Sequence, residues 1–198
     1  MKKRNFKNYH NVYDFDKTIY AGDCSIDFYI FAIKRNPKIL KYLPFQFSHW
    51  ILYLLKIENK SEFKGNYFIF IKELYPIDVY VGEFWDNKFS NIKEWYLKNK
   101  SNTDIIISAS PSFLLSDIIK RLGVHTLIAT NLNIKTGKLL GNNCYGAEKL
   151  KRLQKEIPNI KIKEAYSDSY SDSPILDLAE RAYIVKGNKL VHYKSRRS

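Results

Sequence analysis

Short apolar runs alternate with amphipathic segments from residue 103 onward, and this alternation constrains the fold more than any other feature of the chain. The predicted strands are TDIIISAS, HTLIAT and IKIKEAYSD, because each is short, apolar and bounded by turn-forming residues. The predicted helices are PSFLLSDIIKRLG, Ala147–Glu156 and SPILDLAERA. Since strands that alternate with helices usually pair in parallel, this order predicts a doubly wound α/β fold with a mostly parallel sheet.

One further predicted strand, residues 11–15, lies apart from this alternating region. Between the two, from about Ser25 to Lys100, apolar residues recur at the spacing of amphipathic helices, which predicts about four helices. The helical block therefore interrupts the sheet after its first strand. We predict two domains, a core of residues 1–22 and 101–198 and an inserted helical cap of residues 23–100.

Two glycine-containing turns predict hairpins. NLNIKTGKLLG would turn at Thr136-Gly137, and AYIVKGNKLVHY would turn at Gly187-Asn188. Glycine adopts the positive φ angles that tight hairpin turns require. The second turn therefore predicts a pair of strands near the end of the sequence.

The composition favours an anionic partner. The 198 residues are 45% hydrophobic, as in a globular protein, and carry a formal net charge of +13. Phosphorylated metabolites, nucleic acids and anionic lipid surfaces would all suit this charge, which does not choose among them. The alternative is that basic residues are common throughout the sequence and form no functional surface.

The sequence also favours a cytoplasmic location. Its two cysteines, Cys24 and Cys144, form no Cys-x-x-Cys pattern, which fits a reducing compartment. The first residues, MKKRNFKNYHNVYDF, lack the apolar segment of a secretory signal.

Carboxylates and hydroxyls follow the predicted strands where each strand ends. Asp14 and Asp16 follow the first strand, and on an extended chain residues two apart point to the same face. Neighbouring like charges are costly unless a cation or a shared proton offsets them. The carboxyl ends of the strands lie along one edge of such a sheet, where Ser108 and Asp168 would join the pair. Because carboxylate oxygens suit Mg²⁺, the pattern predicts a magnesium ion at this edge.

These strand ends resemble the motifs of the haloacid dehalogenase superfamily of phosphohydrolases. DFDKT is similar to the first motif of that family, IIIS to the second, Lys149 to the third and SDSYSD to the fourth, in the family's order. The helical insert between the first two motifs resembles the phosphoserine phosphatase-like branch, subfamily IB. The resemblance covers nearly the whole chain and implies a Rossmann-like core with a helical cap of the C1 type.

The resemblance implies a Mg²⁺-dependent phosphatase that works through an aspartyl-phosphate. Asp14 would be the nucleophile, and Asp16 would be the general acid and then the general base. The metal would be held by Asp14, by the backbone carbonyl of Asp16 and by Asp168, with Asp172 as a ligand or as a support for the ligands. A halide leaving group needs no acid, so the second carboxylate, Asp16, favours a phosphate ester as substrate.

The resemblance also implies which residues contact phosphate and substrate. Ser108 would hydrogen-bond a phosphoryl oxygen with Ala109 beside it, and Lys149 would offset negative charge on the nucleophile and the phosphate. Thr18 would stabilise the loop after the first strand. Asp23 stands where phosphoserine phosphatases carry an acidic substrate contact, and the alternative is that it caps the following helix.

Two motifs depart from the phosphoserine phosphatase pattern. SASPS stands in place of Ser-Gly-Gly, and SDSYSD stands in place of GDGAND. These two motifs, together with an aromatic and basic helical cap, resemble those of bacterial phosphatidylglycerophosphatase relatives of the same branch.

The most apolar part of the predicted cap, Ile39–Ile57, leaves two alternatives open. Polar residues interrupt it too often for a membrane-spanning helix. It would either pack inside the cap or lie on a lipid surface with an amphipathic face. In the second case the residues facing lipid phosphates would be Lys34, Arg35, Lys38, Lys41, Lys56 and Lys60.

The leading hypothesis is therefore a Mg²⁺-dependent phosphatase that acts on a phosphorylated small molecule. The alternatives are a phosphatase of lipid phosphates at the membrane surface and a phosphotransferase that passes the phosphoryl group to an alcohol. A basic nucleic-acid-binding module is a distant alternative, and it is not favoured because no nucleic-acid-binding motif occurs. The sequence does not indicate an oligomeric state.

Overall fold

The computed structural model describes residues 9–194, apart from the side chains of Lys60 and Ser61. Six strands form one sheet in the order β3-β2-β1-β4-β5-β6, in which β1 to β5 pair in parallel and β6 is antiparallel to β5. The strands are β1 (Tyr9–Tyr13), β2 (Ile105–Pro111), β3 (Thr126–Thr130), β4 (Lys161–Ser167), β5 (Ala179–Lys186) and β6 (Lys189–His192). The predicted doubly wound, mostly parallel α/β fold is confirmed.

Both faces of the sheet are covered, which explains the nearly continuous apolar runs of its central strands. Successive residues of a strand enter different clusters of the core, because their side chains point to opposite faces of the sheet. Val12 and Ile105 belong to the cluster that includes residues of α7 (Ala147–Glu156) and α8 (Ser173–Leu176). Tyr13 and Ile106 belong to the cluster that includes α6 (Ser112–Arg121) and the helices between β1 and β2.

The segment between β1 and β2 is helical, and we call residues 24–99 the helical insert. It contains α1 (Cys24–Arg35), α2 (Leu43–Leu54), α3 (Lys60–Tyr67), α4 (Ile77–Lys88) and α5 (Glu94–Asn99), with 3-10 turns at Pro37–Tyr42, Phe68–Glu73 and Phe89–Asn91. Within residues 9–194, no helix is both long enough and apolar enough to cross a membrane. The division into a core domain and a cap domain at residues 23 and 100 stays a prediction, and residues 1–8 and 195–198 lie outside the described part.

A buried tryptophan packs the insert against α6 and the loop after β1. Trp85 of α4 is fully buried, and its Nε1 donates a hydrogen bond to the carbonyl of Leu114 in α6 at 2.7 Å. Its ring also meets the rings of Phe15 and Tyr20 edge to face. Because Phe15 lies between Asp14 and Asp16, this packing connects the insert to the loop that carries both carboxylates.

Three predicted elements differ from the structure. The first strand ends at Tyr13, so Asp14 and Asp16 lie in the loop that follows it. The segment SPILDLAERA is helical only over Ser173–Leu176, because Ala179 onward pairs with β4 and the sheet overrides the helical pattern. NLNIKTGKLLG forms a turn with a single bridge between Leu132 and Leu139 rather than two strands. The predicted strand pair at Gly187-Asn188 is confirmed.

The loop between β3 and α7 approaches the insert closely at Gly137. This residue has φ +75°, and a Cβ added there would lie 2.3 Å from the carbonyl oxygen of Phe68. Gly141 has φ +83°, but a Cβ there would meet nothing within 4 Å. We expect Gly141→Ala to lower the free energy of unfolding by about 1 kcal/mol through backbone strain alone. Gly137→Ala adds a steric clash and should cost about 2–4 kcal/mol.

Urea unfolding of the two glycine variants checks this prediction. The midpoint of Gly137→Ala should fall well below that of Gly141→Ala. Equal midpoints would mean that the insert does not contact this loop in solution.

Candidate active site

The carboxyl ends of β1, β2 and β4 meet at a polar cavity of about 240 Å³. Asp14, Asp16, Asp168 and Asp172 all line this cavity, as does Lys149. The remaining lining residues are Lys17, Asp23, Ala109, Tyr145, Ser169 and Ser171. The structure therefore brings together the carboxylates and the lysine that the sequence predicted as one site.

Lys149 bridges two carboxylates at the base of the cavity. Its Nζ lies 2.6 Å from Oδ1 of Asp14 and 2.7 Å from Oδ2 of Asp172. Lys149 is only 3% exposed, because it lies in the first turn of α7 and points toward the sheet. Burial would lower the pKa of Lys149, but the two carboxylates raise it above its ordinary value. The amine is therefore held as a cation between the two acids.

The second oxygens of these carboxylates differ in their surroundings. Thr18 donates a hydrogen bond to Oδ2 of Asp14 at 3.2 Å, so it contacts the carboxylate itself. Burial raises the pKa of Asp14, while Lys149 opposes that rise. Ser167 donates to Oδ2 of Asp172 at 2.8 Å, whereas Oδ1 of Asp172 is buried without a hydrogen-bond partner in the described part of the chain.

Asp16 is held by a different set of groups. The backbone N–H of Cys24 donates to its Oδ1 at 2.7 Å, and the hydroxyl of Ser110 donates to its Oδ2 at 2.5 Å. Burial raises the pKa of Asp16, and these hydrogen bonds oppose the rise. Lys17, which follows Asp16, has a positive φ of +58°. Asp14 and Asp16 thus share one cavity but have separate partners.

The predicted phosphate-binding segment is partly buried beneath the cavity. Ser108 is fully buried, and its Oγ accepts a hydrogen bond from the N–H of Ser110 at 3.0 Å. Ala109 lines the cavity, whereas Ser108 and Thr18 do not. The carbonyl of Ala109 accepts hydrogen bonds from Thr130 and from Lys64 of the insert.

Asp168 and Asp23 both line the cavity. Burial raises the pKa of Asp168, and the positive charge of Lys17 opposes this. Oδ1 of Asp23 accepts hydrogen bonds from the N–H groups of Ser25 and Ile26 at 3.1 Å each, so it is the N-cap of α1. Asp23 also lines the cavity, and its predicted contact with substrate stays a prediction.

The oxygen atoms at the cavity fit a magnesium ion. Asp14, Asp168 and Asp172 offer carboxylate oxygens, and Oδ1 of Asp172 is a buried acceptor without a partner among the described residues. In residues 9–194 no cluster of three or more His, Cys, Asp or Glu side chains is already arranged for a metal. Mg²⁺ does not require one, because it usually binds one or two carboxylates and keeps several waters.

Sequence reasoning missed three residues near the site. Ser110 contacts Asp16, and Lys64 extends from α3 to the carbonyl of Ala109 and, at 3.3 Å, to Oδ1 of Asn143. Lys93 is 7% exposed and donates from Nζ to the carbonyls of Lys17 and Gly187. For Ser110 the sequence offered one signal, because Ser110 is the second serine of the SASPS motif. The two lysines carry no motif, and only the folded chain reveals their contacts.

Fold and site together define a doubly wound α/β protein in which a buried lysine joins carboxylates from different strand ends. The sequence model of the haloacid dehalogenase-like hydrolases matches residues 12–177, and the chain belongs to this family. The predicted membership is confirmed, and with it the assignment as a hydrolase.

Solved structures share this fold at low sequence identity. A Bordetella pertussis protein of unknown function is 16% identical with a TM-score of 0.74, over 89% of each chain. A probable phosphoserine phosphatase from Vibrio cholerae is 13% identical with a TM-score of 0.62, over 89% of this chain and 55% of that one. A phosphoserine phosphohydrolase-like protein from Francisella tularensis is 16% identical with a TM-score of 0.54, over 89% and 86%.

A curated relative matches part of the sequence. Protein CicA of Caulobacter vibrioides is 33% identical over 82 residues, which is 38% of this chain and 37% of that protein. The match thus spans well under two thirds of the relative.

Proposed function

We propose that this protein is a Mg²⁺-dependent phosphatase that hydrolyses a phosphate monoester through an aspartyl-phosphate. The observation that carries the proposal is the buried Asp14–Lys149–Asp172 cluster, in which one lysine lies within 2.7 Å of both carboxylates. A lysine so placed opposes the rise that burial causes in the pKa of Asp14, and it reduces the repulsion between Asp14 and an incoming phosphate dianion.

In the first half of the reaction, an oxygen of Asp14 forms a bond to phosphorus while the ester P–O bond breaks. Asp16 donates its proton to the departing oxygen, so the leaving group departs as an alcohol. In the second half, Asp16 takes a proton from water, and the resulting oxygen nucleophile attacks the aspartyl-phosphate. Asp14 is released as a carboxylate together with inorganic phosphate.

The remaining polar groups would bind the phosphoryl oxygens and the metal. Ala109 lines the cavity, and Lys149 supplies a positive charge there. Asp14, Asp168 and the backbone carbonyl of Asp16 would hold Mg²⁺, with Asp172 in support. When bound, the ion supplies positive charge that neutralises the phosphate and its transition state.

A broad panel of phosphate monoesters tests this function, with p-nitrophenyl phosphate and phosphorylated small metabolites as members. We expect release of inorganic phosphate with Mg²⁺, loss of activity with EDTA and recovery when Mg²⁺ is restored. Turnover of no member of the panel would contradict the proposal. Added alcohols test the phosphotransferase alternative, because phosphoryl transfer would yield a new ester in place of inorganic phosphate.

A second candidate is a lipid phosphate presented at a membrane surface, and the exposure of α2 favours it. Of this helix only Gln46 is buried, whereas Phe47, Trp50 and Leu54 are 59%, 44% and 56% exposed. The exposed apolar surface continues through Leu55 and Ile57. We call this surface the α2 face; it comprises Leu43, Phe45, Phe47, Trp50, Ile51, Leu54, Leu55 and Ile57.

Exposed basic residues between the end of α1 and the segment that follows α2 make an anionic lipid the partner that we propose. Lys34, Lys38 and Lys56 are exposed, and Arg35 and Lys41 are half-exposed or more despite ion pairs with Glu83 and Glu73. Apolar side chains rimmed by lysines are typical of surfaces that insert into the headgroup region of anionic bilayers. The predicted role of the Lys60 side chain lies outside the described residues.

Sedimentation with vesicles tests this second candidate. We expect binding to vesicles that contain phosphatidylglycerol, weaker binding to phosphatidylcholine vesicles, and loss of binding in Phe47→Ser/Trp50→Ser. Leu178→Ser is the matched control, since Leu178 is 51% exposed on the core. A protein that sediments with neither vesicle would exclude the lipid surface. If the wild type forms dimers and Phe47→Ser/Trp50→Ser does not, the α2 face would instead bind a second copy of this chain.

A further inference from the structure

Asp16 is held by two donors that come from different parts of the chain. The N–H of Cys24 belongs to the first residue of α1 in the helical insert, and Ser110 lies near the end of β2 in the sheet. Each donor occupies a different oxygen of the carboxylate, at 2.7 Å and 2.5 Å. Together they fix the rotation of the carboxyl group about its Cβ–Cγ bond.

The Ser110 hydroxyl is itself held in place. Ser110 is 3% exposed, and its Oγ lies 3.0 Å from the Oγ of Ser25, the second residue of α1. A buried hydroxyl has few alternative partners, so its orientation follows those two neighbours. The chain Ser25–Ser110–Asp16 therefore links the first helix of the insert to the carboxyl group.

This arrangement leaves further hydrogen-bonding positions on the oxygens of Asp16. Each carboxylate oxygen can accept two hydrogen bonds, and Cys24 and Ser110 account for one on each oxygen. Asp16 also lines the cavity that Asp14 and Lys149 line. The two donors thus fix the carboxyl group at the cavity, and general acid catalysis depends on the placement of the proton that such a group carries.

We propose that Ser110 is a positioning residue for the general acid, and that Ser25 couples this position to the helical insert. The inference rests on the proposed function, because it assigns the acid role to Asp16. In the step concerned, the Asp14–phosphorus bond forms, the ester P–O bond breaks, and the Asp16 proton moves to the ester oxygen. Ser110 loses no proton in this step, since it only holds the carboxyl group.

The test compares leaving groups that differ in their need for a proton. Nitrophenolate departs without one, whereas an alkoxide must be protonated as it leaves. For Ser110→Ala we expect kcat/KM for phenethyl phosphate to fall on the order of tenfold to a hundredfold, and to fall several times less for p-nitrophenyl phosphate. kcat/KM is the suitable quantity because it covers the steps up to the first P–O cleavage and excludes hydrolysis of the phosphoenzyme.

Two further variants complete the test. Ser25→Ala removes the outer hydroxyl and should shift the alkyl-to-aryl ratio in the same direction but less. Ser112→Ala is the matched control. Ser112 lies two residues after Ser110, and its hydroxyl donates a hydrogen bond to Asn131 instead of Asp16, so this variant should leave the ratio unchanged. If Ser110→Ala does not fold, Ser25→Ala alone decides the outcome.

The outcomes separate this inference from the proposed function. Equal losses on both substrates, or an unchanged ratio in the folded variants, would overturn the positioning role. A wild-type protein that hydrolyses neither ester would overturn the phosphatase function itself, and this inference with it.

Discussion

The Asp14→Asn variant is expected to lose at least about a thousandfold in kcat/KM for p-nitrophenyl phosphate, as removal of a catalytic nucleophile does in other enzymes. An amide oxygen has the size of a carboxylate oxygen but does not attack phosphorus. Lys149 keeps Asp172 as an ionic partner in this variant, so the chain should still fold. Steady-state kinetics measures the loss in kcat/KM, and circular dichroism shows whether the variant folds.

A trapped intermediate makes this result specific. Acid-quenched wild-type protein should carry one phosphoryl group by mass spectrometry, and Asp14→Asn should carry none. Asp78→Asn is the matched control, because Asp78 is exposed in the first turn of α4 and should retain full activity. Full activity of Asp14→Asn would mean that another group is the nucleophile.

Removing the buried cation should have the largest effect on stability. Lys149→Met leaves the carboxylates of Asp14 and Asp172 facing each other without a positive charge between them. Breaking a buried ion pair in this way costs about 3–5 kcal/mol of unfolding free energy. The measurement is the urea unfolding midpoint at neutral pH in EDTA, so that no added divalent cation replaces the lysine.

A second substitution distinguishes charge repulsion from lost packing. Asp172→Asn in the Lys149→Met background removes one of the two like charges, so it should restore part of the lost stability. Lys151→Met is the control, since Lys151 is exposed on the same helix and should change stability by less than about 0.5 kcal/mol. If Lys149→Met is as stable as the wild type, the lysine does not neutralise this pair.

Much of the site could be predicted because it depends on the order of the motifs along the sequence and on the ends of the strands. Asp14 and Lys149 are far apart in sequence, yet both were assigned to one edge of the sheet from the motif order and the strand ends. The structure brings them to 2.6 Å. The predicted fold class and family are confirmed, whereas the roles of the individual site residues stay predictions.

Other features could not be read from local patterns. SPILDLAERA has helical character, but hydrogen bonding to β4 takes its last residues into β5. The predicted contact of Ser108 with phosphate stays a prediction; its side chain is fully buried and accepts a hydrogen bond from the N–H of Ser110 within β2. Ser110, two residues later, is the serine whose hydroxyl reaches a carboxylate.

The sequence by itself determined the order of the elements and the edge at which the carboxylates gather, because periodicity and strand ends are local properties. Only the tertiary structure decided which groups hold those carboxylates and which face of α2 is exposed. The hydroxyl of Ser110 and the amine of Lys93 meet partners 94 and 76 residues away. Contacts over such distances arise from the packing of the insert on the sheet, which no local pattern encodes.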